Sequence, residues 1–216
     1  MQITSRTLAA WLALGFTAPA LCASTADIQV TGTIVPSACT PILSVATLHF
    51  GTVSTADLYL EQPTALPEHT PTLTIQCGTP TLYGLRLVDN RAGSAHDAGY
   101  PGRLGMGYTA AGERIGAYHL EVVPARSTLD GRRVFLSLGD RTGSRWSTST
   151  AQGVALPTNG ELLGLVDRVG IDTGAVEAQV AQLGIRAHGV IAPARALTLT
   201  DAVPLDGHVT VEVVYL

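Results

Sequence analysis

One short loop contains the three residue types of a hydrolytic triad, Ser94, His96 and Asp97. A triad needs a base that takes the nucleophile's proton and a carboxylate that orients the base, and three neighbouring loop residues rarely converge in this way. The chain has no GxSxG, HExxH or P-loop sequence, and residues 105–110 match GxGxxA outside any strand–turn–helix context. We therefore predict that the protein is not an enzyme.

Residues that could bind a metal ion are scattered along the chain. Four turn aspartates could offer oxygen ligands to calcium, although solvated turn aspartates are far commoner; they are Asp89, Asp97, Asp130 and Asp140. The six histidines are dispersed, and the cysteines lack the CxxC spacing of zinc sites. The sequence predicts no metal site and no cofactor.

The charged residues argue against nucleic acid as a partner. All 13 basic residues are Arg, they form no cluster, and 17 acidic residues bring the net charge to −4. A nucleic-acid-binding surface needs clustered positive charge. Trp146 follows Arg145 in a polar segment, where it could be an exposed platform for a sugar or a core residue; we favour the core.

The N-terminal residues have the layout of a secretory signal peptide. Residues 1–6 carry one positive charge, residues 8–16 form a short apolar run, and small residues follow that allow cleavage after Ala20 or Ala23. Cleavage after Ala23 removes Cys22 and leaves an even pair of cysteines. We expect an exported protein with a signal peptide at 1–23, a single domain at 24–216 and no membrane insertion after cleavage.

Extended runs and turns alternate along the rest of the chain. Alternating apolar and polar residues predict strands, and the runs lie at 27–35, 43–53, 71–77, 82–88, 116–123, 134–138, 184–191, 197–200 and 207–216. The only helix candidate is 173–182. Residues 91–160 are rich in Gly and Ser, which predicts long loops or an inserted hairpin. The pattern indicates an all-β sandwich.

Two features show how such a sandwich would be held together. Cys39 and Cys77 are 38 residues apart, each at the end of a predicted strand, and we expect a disulfide between them after export; two buried thiols are the alternative. In the last strand, Val209, Val211, Val213 and Tyr215 alternate onto one face. A chain end usually frays unless it is held, so this strand lies in a complete sandwich or binds a partner.

Several of these segments together resemble chaperone–usher fimbrial subunits. A signal peptide leads directly into an alternating strand at 30–39, a Phe-Gly step follows at 50–51, the second cysteine comes 38 residues after the first, and Tyr215 is penultimate. More narrowly, the chain is similar to DUF1120, a family of fimbrial-like exported bacterial proteins. The internal segments that carry this similarity are 89–94, 104–107, 114–118 and 130–131.

The resemblance implies an immunoglobulin-like, pilin-type sandwich that lacks its final strand. Val209, Val211, Val213 and Tyr215 would then line the edge of a hydrophobic groove. A periplasmic chaperone would fill this groove first, and a neighbouring fimbrial subunit would fill it later, at the usher. The implied function is a structural or adhesive fimbrial subunit that passes through the periplasm to the cell surface. The alternative is a stand-alone exported sandwich that binds a carbohydrate, such as a host or surface glycan, or another ligand through its loops.

One feature departs from polymerising pilins. Only 15 residues, 24–38, precede Cys39, and residues 27–35 already form the predicted first strand. Few residues remain for donation to a neighbour. We expect the chain to receive a strand and give none, as a tip subunit would, unless residues 27–35 are themselves the donor or the protein does not polymerise.

Overall fold

The computed structural model describes residues 29–32, 38–97, 99, 102–170 and 174–216. The chain divides into two units, Met1–Val35 and Pro36–Leu216. In the first unit, residues 29–32 have no regular secondary structure. The predicted signal peptide and most of the predicted strand at 27–35 lie outside the described residues. The second unit contains all the regular secondary structure that is described.

Strands dominate the second unit. The described residues form fourteen of them: β1 (Cys39–Leu43), β2 (Thr64–Ala65), β3 (Thr72–Thr81), β4 (Tyr83–Asp89), β5 (Leu104–Gly105), β6 (Gly116–Val122), β7 (Thr128–Leu129), β8 (Arg132–Arg133), β9 (Phe135–Gly139), β10 (Trp146–Ser149), β11 (Val154–Ala155), β12 (Leu162–Val166), β13 (Ala178–Ile191) and β14 (Val209–Tyr215). The helices are single 3₁₀ turns at Thr55–Asp57, Pro124–Arg126 and Ala194–Ala196. No helix among the described residues is long and apolar enough to cross a membrane.

Two antiparallel sheets make up a β-sandwich, which confirms the predicted fold class. The first sheet has the order β1-β3-β13-β6-β11, and the short strands β2, β5, β7 and β8 add to it. The second has the order β10-β9-β12-β4-β14. β1 therefore ends one sheet and β14 ends the other.

Alternation along the strands builds the core between the sheets. On β3 the buried side chains are Leu73, Ile75 and Cys77, and polar residues occupy the positions between them. β4 and β6 follow the same rule, because successive side chains of a strand point to opposite faces. Their core residues are Tyr83, Leu85, Leu87, Tyr118, Leu120 and Val122.

A tight turn shapes the middle of the first sheet. Asp130 and Gly131 both have positive φ, 48° and 73°, and they connect β7 to β8 as an Asp-Gly hairpin turn. The Asp130 carboxylate also accepts the backbone N–H groups of Gln179 and Val180 at 3.0 and 2.7 Å. These two groups lie at the β-bulge between Ala178 and Val180 in β13. The turn therefore secures the irregular start of the longest strand.

Three local predictions are wrong. The helix predicted at 173–182 is not formed, since residues 174–177 are irregular and Ala178 begins β13. Residues 44–53 contain no strand, and residues 197–200 follow a 3₁₀ turn without forming one. Each of these segments is short, and its backbone conformation depends on residues that are distant in the sequence, which local periodicity does not show.

β12 was not predicted because it is apolar on both faces. All five residues of Leu162–Val166 are buried. Leu163 and Leu165 face the core, and the opposite face is covered by Trp146 and the segment 174–176, whose Val176 N–H donates to the Leu165 carbonyl at 2.9 Å. A strand covered on both faces shows a continuous apolar run without alternation.

Trp146 lies half-buried on the outer face of the second sheet, outside the core that we favoured. Its ring packs directly over three glycines, because a Cβ added at Gly139, Gly164 or Gly174 would come within 2.7 Å of ring atoms. Its indole N–H donates to the Gly143 carbonyl at 2.8 Å. The ring is therefore held flat against the backbone instead of being presented to solvent as a platform.

We expect Gly164→Ala to destabilise the protein by about 1–3 kcal/mol, the usual cost of overpacking. The new Cβ would lie 2.7 Å from the Trp146 ring and 2.9 Å from the Gly174 carbonyl oxygen. Urea unfolding followed by tryptophan fluorescence measures the change. Gly99→Ala is the control, because a Cβ there meets nothing within 4 Å. A loss of stability no larger than in the control would contradict this packing.

A disulfide joins Cys39 to Cys77, as predicted. The two residues are directly opposed on β1 and β3, with their Cα atoms 4.0 Å apart. The other four residues of β1 are exposed, so little apolar burial holds the strand to its sheet. The disulfide is therefore the strongest tie between the edge strand β1 and the sandwich.

The variant Cys39→Ser/Cys77→Ser should lose about 4 kcal/mol of unfolding free energy, the value expected when a closed loop of this length is opened. Urea denaturation of both proteins measures the difference. Unmodified protein treated with a reducing agent should lose a similar amount, which controls for the serine side chains. A loss below about 1 kcal/mol would show that the bond does not restrain the unfolded chain.

Candidate functional site: a groove between two edge strands

A groove of about 610 Å³ lies between the sheet edges formed by β1 and β14. One wall is β1 with the segment 45–50 that follows it, and the other is β14 with the segment 205–208 that precedes it. Buried side chains from the sandwich core form the floor, and they are Leu73, Met106, Tyr118, Leu120, Leu156 and Ile185.

The floor is almost entirely apolar. Each of its six side chains is at most 9% exposed. Burial raises the pKa of the Tyr118 phenol above its ordinary value, and the nearby Asp89 carboxylate raises it further, so the phenol stays neutral. An occupant that covered this floor would gain about 25 cal/mol per Å² of apolar surface removed from water. The groove therefore favours an apolar occupant.

β14 contributes Val209 and Val211 to the groove lining, whereas Val213 and Tyr215, which were also expected to line its edge, are not among the lining residues. Val209, Val211 and Val213 pack against the core on one face of the strand, as their alternation predicts, yet each remains partly exposed. Tyr215 is 52% exposed. On the other face, Glu212 forms an ion pair with Arg86 at 2.6 Å. The inner face of β14 thus resembles a core strand with one flank uncovered.

No described strand pairs with the outer backbone edge of β14. Among the described strands β14 pairs with β4 alone, and at its ends Asn90 N–H donates to the His208 carbonyl and Leu216 N–H to the Leu82 carbonyl. Hydrogen-bonded pairs alternate along an antiparallel ladder, so the even-numbered residues bond to β4 and the odd-numbered ones point away. The outward residues are Val209, Val211, Val213 and Tyr215. Their backbone groups form no hydrogen bond to another described residue.

The edge of β1 is less well suited to pairing. Gly78 N–H donates to the Ala38 carbonyl and Ser44 N–H donates to the Thr72 carbonyl, so the odd-numbered residues of β1 point away from β3. One of these residues, Pro41, has no N–H to offer. Proline on an edge strand blunts that edge as a template for another strand. Of the two walls, β14 is therefore the better one for backbone pairing.

The two walls meet at one end of the groove. Cys39 N–H, which points away from β3, donates to the Tyr215 hydroxyl at 2.8 Å. Cys39 is in turn bonded to Cys77. The disulfide, the hydroxyl and the last residues of β14 therefore form a closed end that fixes one edge strand relative to the other.

The segment that enters β14 is also tied down. Asp206 accepts two bonds from Arg91, Nε to Oδ2 at 2.8 Å and Nη2 to Oδ1 at 2.9 Å, and its N–H donates to the Met106 carbonyl at 3.0 Å. The Arg91 guanidinium lowers the pKa of the Asp206 carboxyl. Gly207 passes over the Tyr118 ring, since a Cβ there would come within 2.8 Å of it. The second wall is thereby held over the floor.

Two segments, 89–94 and 104–107, are joined by hydrogen bonds into a unit that supports this arrangement. Both are among the segments that resemble DUF1120. The Asp89 carboxylate accepts N–H groups from Arg91 and Gly105, and the Ser94 hydroxyl accepts the Gly107 N–H at 3.0 Å while donating to the Arg91 carbonyl. A Cβ at Gly105 would lie only 2.0 Å from the Ser94 Oγ, so glycine is required there. The unit positions both Met106 and the Arg91 guanidinium.

The candidate triad is not assembled. Ser94 is 1% exposed, and its hydroxyl is occupied by backbone partners. No hydrogen bond among the described residues joins it to the side chain of His96 or Asp97. Asp97 has a positive φ of 59°, which suits a turn residue. This loop supports the groove wall through Ser94.

Three of the four turn aspartates bind backbone N–H groups in separate turns. Asp89 and Asp130 do so at the positions already given. At Asp140, the carboxylate accepts the Thr142 hydroxyl and the backbone N–H groups of Thr142 and Ser144, and these bonds lower its pKa strongly. The structure therefore does not bring these aspartates together at one site.

Two features of the molecule are not predicted by the sequence. The wall segment 45–50 was predicted as strand, although it lines the groove in irregular form. The histidines are dispersed along the sequence, yet the pairing of β6 with β13 places His119 opposite His188. The available signal was the spacing of His119 and Glu121, which puts both on one face of a strand.

Comparison with protein families gives one match. The family described as a protein of unknown function (DUF1120) matches residues 28–102. This range includes β1, the wall segment 45–50, and β3 and β4, whereas β14 lies outside it. No curated protein matches the chain.

Tyr215→Phe should weaken the closed end of the groove. Loss of the acceptor for Cys39 N–H is expected to cost about 0.5–1.5 kcal/mol and to accelerate amide exchange at Cys39. Tyr59→Phe is the matched control, since Tyr59 is 56% exposed and no hydrogen bond of its hydroxyl to a described residue is seen. Hydrogen exchange measured by NMR tests both variants. Unchanged exchange at Cys39 in Tyr215→Phe would contradict the contact.

Proposed function

We propose that this protein is a structural or adhesive subunit of a chaperone–usher fimbria, and that its groove accepts a β-strand from another polypeptide. The observation that carries the proposal is the apolar groove bordered by the outer backbone edge of β14, which pairs with no described strand. An incoming strand could bond to this edge while its alternate side chains entered the groove. Strand addition at a sheet edge combines these two sources of affinity and specificity.

The geometry of β14 suits such pairing. The backbone N–H and C=O groups of Val209, Val211, Val213 and Tyr215 point outward, and the side chains of Val209 and Val211 line the groove. One incoming strand could therefore bond to this backbone edge and cover those two side chains. A strand placed beside β14 would lie about 4.8 Å from it and would cover the half-buried valines. The resulting sheet order would be β10-β9-β12-β4-β14 followed by the donated strand. This is an immunoglobulin-like, pilin-type sandwich completed by a strand from a second chain.

An uncovered groove of this kind makes the isolated subunit prone to association. Long unpaired edges with hydrophobic neighbours pair with other chains unless something covers them. A periplasmic chaperone that occupies the groove would remove this hazard until an usher passes the subunit to its neighbour. The expected partners are therefore the chaperone, the usher and neighbouring fimbrial subunits.

Export is the second part of the proposal. The signal-peptide pattern at residues 1–23 directs the chain out of the cytoplasm, and the Cys39–Cys77 disulfide suits an oxidising compartment. We infer passage through the periplasm and a final position in a fimbria at the cell surface. The disulfide stabilises β1, which is one wall of the groove, so oxidation and groove formation would occur in the same compartment.

A stand-alone exported sandwich that binds a ligand is the second candidate. A volume of about 610 Å³ lies within the range of small-molecule pockets. The lining is mostly apolar, although Thr47, His208 and Thr210 contribute to it, and this suits an apolar ligand better than a carbohydrate. Trp146 does not favour a glycan platform either, because its ring packs on three glycines. This candidate predicts a stable monomer that needs no chaperone.

The two candidates are separated by exporting the full chain in a bacterial host with and without a fimbrial chaperone. The fimbrial proposal predicts little soluble protein alone and a one-to-one complex when the chaperone is present. Size-exclusion chromatography of periplasmic extracts measures both. Equal yield and equal thermal stability under the two conditions would contradict the fimbrial proposal and favour the stand-alone sandwich.

Val211→Pro should reduce complex formation at least tenfold, because it removes an outward N–H and places the proline ring at the pairing edge; a tenfold change corresponds to about 1.4 kcal/mol. The N–H of Val211 does not bond to β4, so β14 should remain in its sheet. Val211→Ala is the matched control, since it shortens the side chain and keeps the N–H. Equal capture of the two variants would show that backbone pairing at β14 contributes nothing.

A further inference from the structure

A second cluster lies on the opposite face of the first sheet from the groove. On β6, Tyr118, Leu120 and Val122 point into the core, so His119 and Glu121 point outward. On β13, His188 projects outward directly opposite His119, since the two residues are paired in register. The three side chains form what we call the His–Glu–His cluster: His119, Glu121 and His188.

The cluster brings three metal-binding atoms close together. One ligand atom from each residue lies within 4.8 Å of the other two. The two imidazole rings stack with their centroids 4.9 Å apart and their planes 17° from parallel. His119 Nε2 lies 3.3 Å from Glu121 Oε1. This separation equals the edge of a tetrahedron built from zinc bonds of about 2.0 Å, which is roughly 3.3 Å.

Neighbouring charges hold the carboxylate in place. Arg186 donates from Nη2 and Nε to Glu121 Oε2, at 2.7 and 3.2 Å, which leaves Oε1 directed toward His119. Glu68 Oε2 lies 3.7 Å from His188 Nε2 and adds negative charge on the other side. A ligating carboxylate that is itself hydrogen-bonded is typical of metal sites. Arg186 also places a positive charge nearby, which limits the affinity for a cation.

The cluster is only partly desolvated, so an ion can reach it. Side-chain exposure is 23% for His119, 21% for Glu121 and 37% for His188. His119 Nδ1 is buried and has no hydrogen-bond partner among the described residues. Replacement of the His119–Glu121 contact by a metal ion would therefore cost that ring no other hydrogen bond. No other group of three such ligands is found in the described part of the chain.

We propose that His119, Glu121 and His188 bind a divalent transition-metal ion, with Zn²⁺ as the best fit. Two imidazoles and one carboxylate are a ligand set that zinc commonly takes with a fourth position left to water. Hard cations such as Mg²⁺ and Ca²⁺ prefer all-oxygen sites with more ligands and are not expected to bind. Bound zinc would join β6 to β13 across the outer face, and strand addition in the groove on the other face would remain free.

Zinc titration of the exported protein tests the site, with the chaperone complex used if the free subunit is not soluble. After treatment with a chelator, calorimetry with ZnCl₂ should show one ion bound per chain at the cluster, and MgCl₂ should show none. Co²⁺ should give the visible absorption of a four-coordinate ion. Zinc should also raise the thermal midpoint, because a ligand that binds only the folded state stabilises it.

Two variants identify the ligands. His188→Gln and His119→Gln should each weaken zinc binding at least tenfold, whereas His49→Gln, at an exposed histidine that is not part of the cluster, should bind as the unmodified protein does. Thermal midpoints measured without zinc verify that each variant is folded. The proposal is overturned if the unmodified protein binds no zinc, or if both cluster variants bind it with unchanged affinity.

Discussion

The main physical constraint in this structure is the outer edge of β14, where backbone N–H and C=O groups lie beside an apolar groove without bonding to another described residue. Such an open sheet edge is a template for another strand. The valines on the same strand are only half-buried, and no described strand lies beside them on that side. A single added strand would bond to these backbone groups and cover the valines, as the proposed assembly requires.

The rest of the sandwich holds that edge in a fixed position. At one end, the Tyr215 hydroxyl joins β14 to Cys39, and the disulfide joins Cys39 to the first sheet. At the other end, Asp206 is held by Arg91 and by the Met106 carbonyl. A groove with two secured ends is preorganised, so an incoming strand would lose less free energy to ordering of the receptor. The His–Glu–His cluster lies on the opposite face of the first sheet from the groove floor.

Much of this architecture could be predicted from the sequence, and the failures have physical causes. Alternation revealed β3, β4, β6 and β14, since each has one face in the core and one outside it. It missed β12, because Trp146 covers the outer face and no polar residue is needed there. It misread residues 44–53, because the apolar side chains of the 45–50 portion line a groove that exists only once distant strands have paired. The opposition of His119 and His188 depends on the same long-range pairing, so spacing along the chain could not show it.

Hydrogen exchange at four backbone amides of β14 tests most directly whether the outer edge of this strand is open to an added strand. In the subunit before strand addition, the amides of Val209, Val211, Val213 and Tyr215 should exchange quickly, while those of Thr210, Glu212 and Val214 are protected by β4. Binding of a chaperone or donor strand should then protect the first four. Protection of those four amides in the free subunit, or their continued rapid exchange in the complex, would contradict the account.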